Sequence, residues 1–330
     1  MKSSCVFVFL LLGHFSHETL PCPALCKCFP SRAEVVCNEV PLAEFPSEGL
    51  PDKTTMLTIQ FTNITSLSEH QLNATPLLQE LHLFRNQLQN LSSHLLRGVP
   101  HLHTLDLTGN QLSDIPADIF SHASLRNLVL KNNLIKEADA EWLPANSSLI
   151  WLDLSENLLR QTPTLLLQRL PHLKNLDLSS NHLEKIPSHS LDLLMELKQL
   201  NLQNNKLHTL DASAFLSLNN LTSLFLAHNH LKNLPQTLFQ GLRRVRHLSL
   251  DNNQLSHIPA GLLDQLDSLE DQGLDMSGNP LLCDGKVEYL WRWLQKNKKK
   301  VFEAESITCA FPQPLTGRSV SSLTENQLNL

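Results

Sequence analysis

Apolar residues recur along most of the chain in a fixed rhythm. It is clearest from Leu173 to Ile186 (LKNLDLSSNHLEKI), where Leu173, Leu176, Leu178, Leu183 and Ile186 are spaced around a polar Asn181. The same frame returns at Asn86, Asn110, Asn133, Asn157, Asn205, Asn229, Asn253 and Asn279, in steps of 23 to 26 residues. Leu176 and Leu178 flank the polar Asp177, which predicts a short strand with both leucines on one face and the aspartate on the other. The turn after such a strand leaves backbone groups unpaired, and a buried asparagine amide is the side chain suited to satisfy them. One repeat cannot bury its leucines alone, whereas stacked repeats can, with a parallel sheet on one side and a leucine core behind it. A second apolar column ten residues after the asparagine (Leu96, Phe120, Leu167, Leu191, Phe215, Phe239, Leu263) supports the frame. Prolines at 116, 187, 235 and 259 point to an irregular convex side rather than long helices.

This L-x-x-L-x-L-x-x-N-x-L pattern is that of a leucine-rich repeat. The expected fold is an α/β solenoid, a horseshoe with a parallel concave sheet and disulfide-stabilised caps at both ends. A degenerate copy, LTIQFTNITSL, keeps Leu57, Ile59, Ile64 and Leu67 in frame with Thr62 in place of the asparagine, which brings the expected strands to ten. At the spacing of parallel strands they would span about 45 to 50 Å. A face of roughly 700 to 800 Å² is one partner's share of a standard protein interface. The expected organisation is a signal peptide at 1–20, a cysteine-rich cap at 21–53, repeats at 54–280, a second cap at 281–311 and a loosely ordered, serine-rich tail at 312–330.

The leader expectation rests on Lys2, the apolar run Cys5 to Leu12 and the polar change that follows, a run too short to span a membrane. In a secreted chain the remaining cysteines should be oxidised; Cys22, Cys26, Cys28 and Cys37 precede the repeats, and Cys283 and Cys309 follow them. Spacing alone leaves 15 connectivities open. A helical pattern from Val287 to Asn297, with Leu290, Trp293 and Leu294 on one face, is expected to close the far end. Formal net charge is −6 with 18% charged residues, which argues against a protein held to nucleic acid by phosphate contacts. Five N-x-S/T sequons, at Asn63, Asn73, Asn90, Asn146 and Asn220, fall outside the outward strand positions, so glycans would leave the concave face open.

The outward positions carry the candidate chemistry. The central column runs His82, Asp106, Val129, Asp153, Asp177, Asn201, Phe225, Ser249 and Asp275, with Glu156 and Asp251 nearby. It reads either as ordinary polar strand residues or as an acidic stripe that steers a basic protein. A neighbouring column holds Arg126, Lys174, Lys198 and Arg246, so the face is striped in charge. Phe84, Trp151 and Phe225 are large rings at outward positions where the fold asks for nothing apolar, as interface anchors are. The candidate partner-binding residues are therefore Phe84, Asp106, Trp151, Asp153, Asp177, Phe225 and Asp251. Catalysis finds little support: there is no H-E-x-x-H, nucleophile elbow or phosphate-cradling loop, and no cofactor or metal is expected.

The 24-residue repeats, the junction DQGLDMSGNPLLCD and the helix YLWRWLQ before Cys309 resemble the leucine-rich alpha-2-glycoprotein family of plasma proteins. Within it, MKSSC…LLLGHFSHETLPCPALCKC and the four-cysteine cap are most similar to the snake serum beta-type phospholipase A2 inhibitors. The resemblance implies a glycoprotein secreted into plasma that binds basic group II phospholipase A2, as a homotrimer. It also implies Cys22–Cys28, Cys26–Cys37 and Cys283–Cys309 pairing. Gly285 stands where many such caps have a second cysteine, so one C-terminal bond is expected. Alternative readings are a binder of cytochrome c or growth-factor signalling components, or a matrix protein that uses Lys296 and Lys298 to Lys300.

Overall fold

The computed structural model describes residues 21–328; the leader expected at 1–20 lies outside the described residues. One sheet runs the length of the molecule. Ten short parallel strands carry the repeats: Met56–Gln60, Glu80–His82, Thr104–Asp106, Asn127–Val129, Trp151–Asp153, Asn175–Asp177, Gln199–Asn201, Ser223–Phe225, His247–Ser249 and Leu274–Asp275. The sheet has 12 strands rather than ten, because the N-terminal cap adds Glu34–Asn38, parallel to the first repeat, and Lys27–Phe29, antiparallel and outermost. At about 4.8 Å per step the sheet is then roughly 53 Å long.

Register follows the leucines. Leu57, Leu81, Leu105, Leu128, Leu152, Leu176, Leu200, Leu224, Leu248 and Leu274 lie opposite one another down the sheet, each in the core. Any one-residue slip would turn a strand's leucines to solvent, so burial itself specifies the alignment. Behind the sheet, Leu96, Phe120, Leu167, Leu191, Phe215, Phe239 and Leu263 fill the convex side from single helical turns, short strand pairs and loops.

The frame asparagines tie each repeat to the one before. Asn181 Oδ1 accepts the N–H of Leu159 at 3.0 Å, while its Nδ2 donates to the carbonyls of Leu154, Leu178 and Ser179 at 2.9 to 3.2 Å. Asn110, Asn133, Asn157, Asn205, Asn229, Asn253 and Asn279 repeat that arrangement. Where Thr62 replaces the asparagine, its N–H and Oγ1 both turn to Asn86 Oδ1, at 3.1 and 2.6 Å.

The ends of the stack are closed by disulfides and packing. Bonds join Cys22 to Cys28 and Cys26 to Cys37 at the N-terminal end, and Cys283 to Cys309 at the other. The last repeat is lengthened, and Gly273 within it approaches the Arg246 carbonyl so closely that a Cβ would collide with it. The open edge of Leu274–Asp275 is covered by the Val301 and Phe302 segment, with Phe302 N–H donating to Leu274 O at 2.8 Å. The cap helix begins at Glu288, one residue inside the expected start, because Gly285–Val287 forms a 3₁₀ turn; it ends at Asn297 and buries Leu290, Trp293 and Leu294. The tail expected to be loose is instead packed: Leu315, Val320, Leu323 and Leu328 are buried, and Trp291 Nε1 donates to Leu323 O at 2.9 Å. Its apolar residues are too far apart in sequence to show a period, yet together they cover the helix.

Removing the Asn181 amide leaves one buried N–H and several carbonyls without their partner. Asn181→Ala is expected to destabilise the protein by about 3 kcal/mol, read as a lower guanidinium midpoint at unchanged m-value.

Candidate functional site

Alternation along the strands decides what the concave face presents. Leu152 points into the core, so its neighbours Trp151 and Asp153 point outward; Trp151 lies between Asn127 and Asn175 and is 46% exposed. Beside it on the same edge run Arg126, Lys174, Lys198 and Arg246, of which Arg246 meets Glu270 at 3.4 Å. Phe225 is half-buried between Asn201 and Ser249. Phe84 is also half-buried and meets Phe61 edge to face, with centroids 6.3 Å apart.

Phe61 was not among the residues singled out from the sequence. It is 42% exposed, its backbone is left-handed (φ 54°), and the Arg85 guanidinium lies 5.5 Å above its ring. The signal was present in its place directly before Thr62, the stand-in for the frame asparagine. The missing asparagine made the outward columns of that repeat hard to read.

The aspartates are more engaged than a free acidic stripe. Asp106, Asp153 and Asp177 each accept the backbone N–H of the residue two positions on, Thr108, Ser155 and Ser179, at 2.9 Å. Asp177 also takes hydrogen bonds from Ser179 Oγ at 2.6 Å and Asn201 Nδ2 at 2.9 Å. Asp153 is only 9% exposed. Burial pushes its proton affinity up, and the Asp177 charge, in register on the next strand, adds to that shift despite the opposing bonds from Ser155. Lys131 pairs with Glu156 at 3.0 Å and is held more firmly protonated by that carboxylate. Asp251 accepts from Ser249 Oγ at 2.7 Å and Asn252 Nδ2 at 2.9 Å, with His228 at 3.9 Å.

Near the N-terminal end, His82 bridges two carboxylates, with Nε2 3.3 Å from Glu80 and Nδ1 4.0 Å from Asp106. Asp106, then burial in the opposite sense, then Glu80 act on the imidazole, and its pKa is raised. Burial pushes Asp106 up, but His82 and Thr108 outweigh it and hold the carboxyl below its usual range.

The candidates do not form one cluster. Trp151, Asp153 and Asp177 are neighbours at mid-sheet, whereas Phe84 and Asp251 lie seven strand steps apart, about 34 Å. Such a layout suits a broad protein contact rather than a reaction centre. Cavities lie off this face, one between the last repeat and the cap helix (Leu263, Tyr289, Trp293), another at the N-terminal cap (Leu25, Phe45). Among the described residues no helix is long and apolar enough to cross a membrane.

A leucine-rich repeat model matches residues 52–112, 123–183, 171–231 and 220–281, more than half the chain. A phospholipase A2 inhibitor beta from Elaphe climacophora is 38% identical over 99 residues, 27% of this chain and 28% of that one. A phospholipase A2 inhibitor from Gloydius brevicaudus siniticus is 37% identical over 78 residues, 24% of this chain and 23% of that one. The matched stretches thus span about a quarter of the curated relatives' length. Among solved structures, a chain from an octameric complex of Latrophilin 3, Unc5D and FLRT2 superposes with a TM-score of 0.71 at 23% identity, over 93% of this chain and 99% of that chain. That likeness is one of fold.

The His82 and Asp106 shifts have a pH consequence. The raised pKa of His82 gives stability that is fully present below its unfolded value and lost as pH rises through the folded one. The lowered pKa of Asp106 gives stability present above its unfolded value and lost as pH falls through the folded one. Both act near pH 5.5, so His82→Gln should lower Tm more at about pH 5.5 than at about pH 8; equal losses would show that the bridge contributes nothing.

Proposed function

We infer what this chain does from the premise that it belongs to the leucine-rich repeat family: it is a secreted, non-enzymatic glycoprotein of plasma whose concave sheet captures a phospholipase A2. The observation that carries this reading is Trp151, a half-exposed indole at mid-sheet beside Asp153, in a chain similar to two proteins named phospholipase A2 inhibitor. An apolar ring costs solvation when it is left open, and such rings are the anchors of protein interfaces.

The mechanism is occlusion. A small basic enzyme seats on the face, its cationic surface turned to Asp106, Asp153, Asp177 and Asp251, with Trp151, Phe84 and Phe225 as apolar contacts. Its membrane-binding surface or active-site mouth is thereby covered. Because three of these aspartates already hold backbone N–H groups, their carboxylates are fixed in place before the partner arrives, and less side-chain freedom is lost on binding. A homotrimer would multiply such contacts.

Binding and hydrolysis assays against one basic and one acidic group II phospholipase A2 test the reading. Inhibition of the basic enzyme that weakens with salt is expected, and Trp151→Ala should weaken binding by about 2 kcal/mol, chiefly through faster dissociation. Absence of binding to either enzyme would remove the inhibitor reading while leaving the fold unaffected.

A further inference from the structure

Phe61 is unexplained by the packing of the repeats. Its place directly before the frame position is left-handed throughout the sheet, and every other repeat puts glycine or a polar residue there: Gly109 and Gly278, Asn132, Asn204 and Asn252, Ser180, and the larger Arg85, Glu156 and His228. These are small or polar residues, several of which tolerate that conformation well. A phenylalanine in the left-handed region is strained, and here the ring is not repaid by burial, since Phe84 and Arg85 leave it 42% exposed.

Two residues on is Asn63, the acceptor of the sequon Asn63-Ile64-Thr65. Thr62 between them turns inward to Asn86, so Phe61 and Asn63 emerge on either side of one buried residue, and both are exposed. Asn63 Oδ1 accepts from Gln87 Nε2 at 2.9 Å, which orients the amide, and among the described residues no protein group takes a hydrogen bond from its Nδ2. The other sequons lack this arrangement. The residues two before Asn90 and Asn220 are the buried Leu88 and Leu218, those before Asn73 and Asn146 are Gln71 and Pro144, and Asn220 Nδ2 is already bonded to Met195 O at 2.9 Å.

We propose that Asn63 carries an N-linked glycan whose first sugar stacks on the Phe61 ring. The donor is a lipid-linked pyrophosphate oligosaccharide. Asn63 Nδ2 bonds to the sugar C1 and loses one amide proton, while the C1–O bond breaks and the lipid pyrophosphate leaves with the electron pair. The C–H face of a pyranose is apolar and weakly positive, complementary to the negative face of a phenyl ring. Stacking therefore covers the apolar surface that the bare chain leaves in water and holds the glycan at the rim, away from mid-sheet.

The test is a double-mutant cycle in protein secreted from a eukaryotic host: wild type, Phe61→Ala, Thr65→Ala and the double variant. Thr65→Ala removes the sequon but keeps Asn63 and its bond to Gln87. Mass spectrometry of the Asn63 peptide is expected to show a glycan in the wild type and none in the Thr65→Ala forms. Thr65→Ala should lower Tm by roughly 2 °C when Phe61 is present and have little effect when it is alanine. An unmodified Asn63 in the wild type, or an equal effect of Thr65→Ala with and without Phe61, would overturn the proposal.

Discussion

The structure depends on satisfying the backbone at the turn that leaves each strand. A parallel sheet of very short strands makes few hydrogen bonds per repeat, and every repeat must reverse direction inside a leucine core where no water can serve the exposed peptide groups. The frame asparagine meets that need with both ends of one amide. Asn181 bonds to its own turn through Leu178 and Ser179 and to the preceding repeat through Leu154 and Leu159, so local geometry and stacking share the same side chain. A leucine core alone gives burial without direction; the amide ladder sets the angle at which the next repeat is laid down.

The same economy shapes the concave face. In the Leu-Asp-Leu repeats, and in Leu274-Asp275-Met276, the aspartate points outward by alternation, yet its carboxylate turns back to the N–H two residues on, a group the neighbouring strand does not reach. The charge is consequently held close to the sheet, half-buried at Asp106 and Asp177 and nearly enclosed at Asp153. What remains open is the basic edge from Arg126 to Arg246 and a few aromatic rings. The face thus presents fixed carboxylates in the middle and cations along one side.

The caps solve the problem that any stack has at its ends. At the N-terminal end a disulfide-braced hairpin continues the sheet by two strands and turns its last edge antiparallel. At the other end the chain covers the final strand with the Val301 and Phe302 segment, the amphipathic helix Glu288–Asn297 and the tail packed upon it. Lysines that read as a basic cluster are there partly in use: Lys298 meets Glu305 at 2.8 Å and Lys300 Nζ donates to Asp267 O at 2.9 Å.

By itself the sequence determined the repeat, its strand and turn positions, the buried asparagines, both apolar columns and the placement of cysteines at the ends, because each of these is enforced by a local period that recurs many times. It also marked Trp151 and the aspartates as outward residues, by alternation alone. Only the tertiary structure decided that the N-terminal hairpin joins the sheet, that residues 312–328 pack rather than trail, that the aspartates bind backbone N–H groups, and that Phe61 stands exposed in a left-handed turn beside Asn63. These features depend on contacts between segments that share no period, or on one aromatic side chain in one degenerate repeat, and neither leaves a rhythm in the chain to be read.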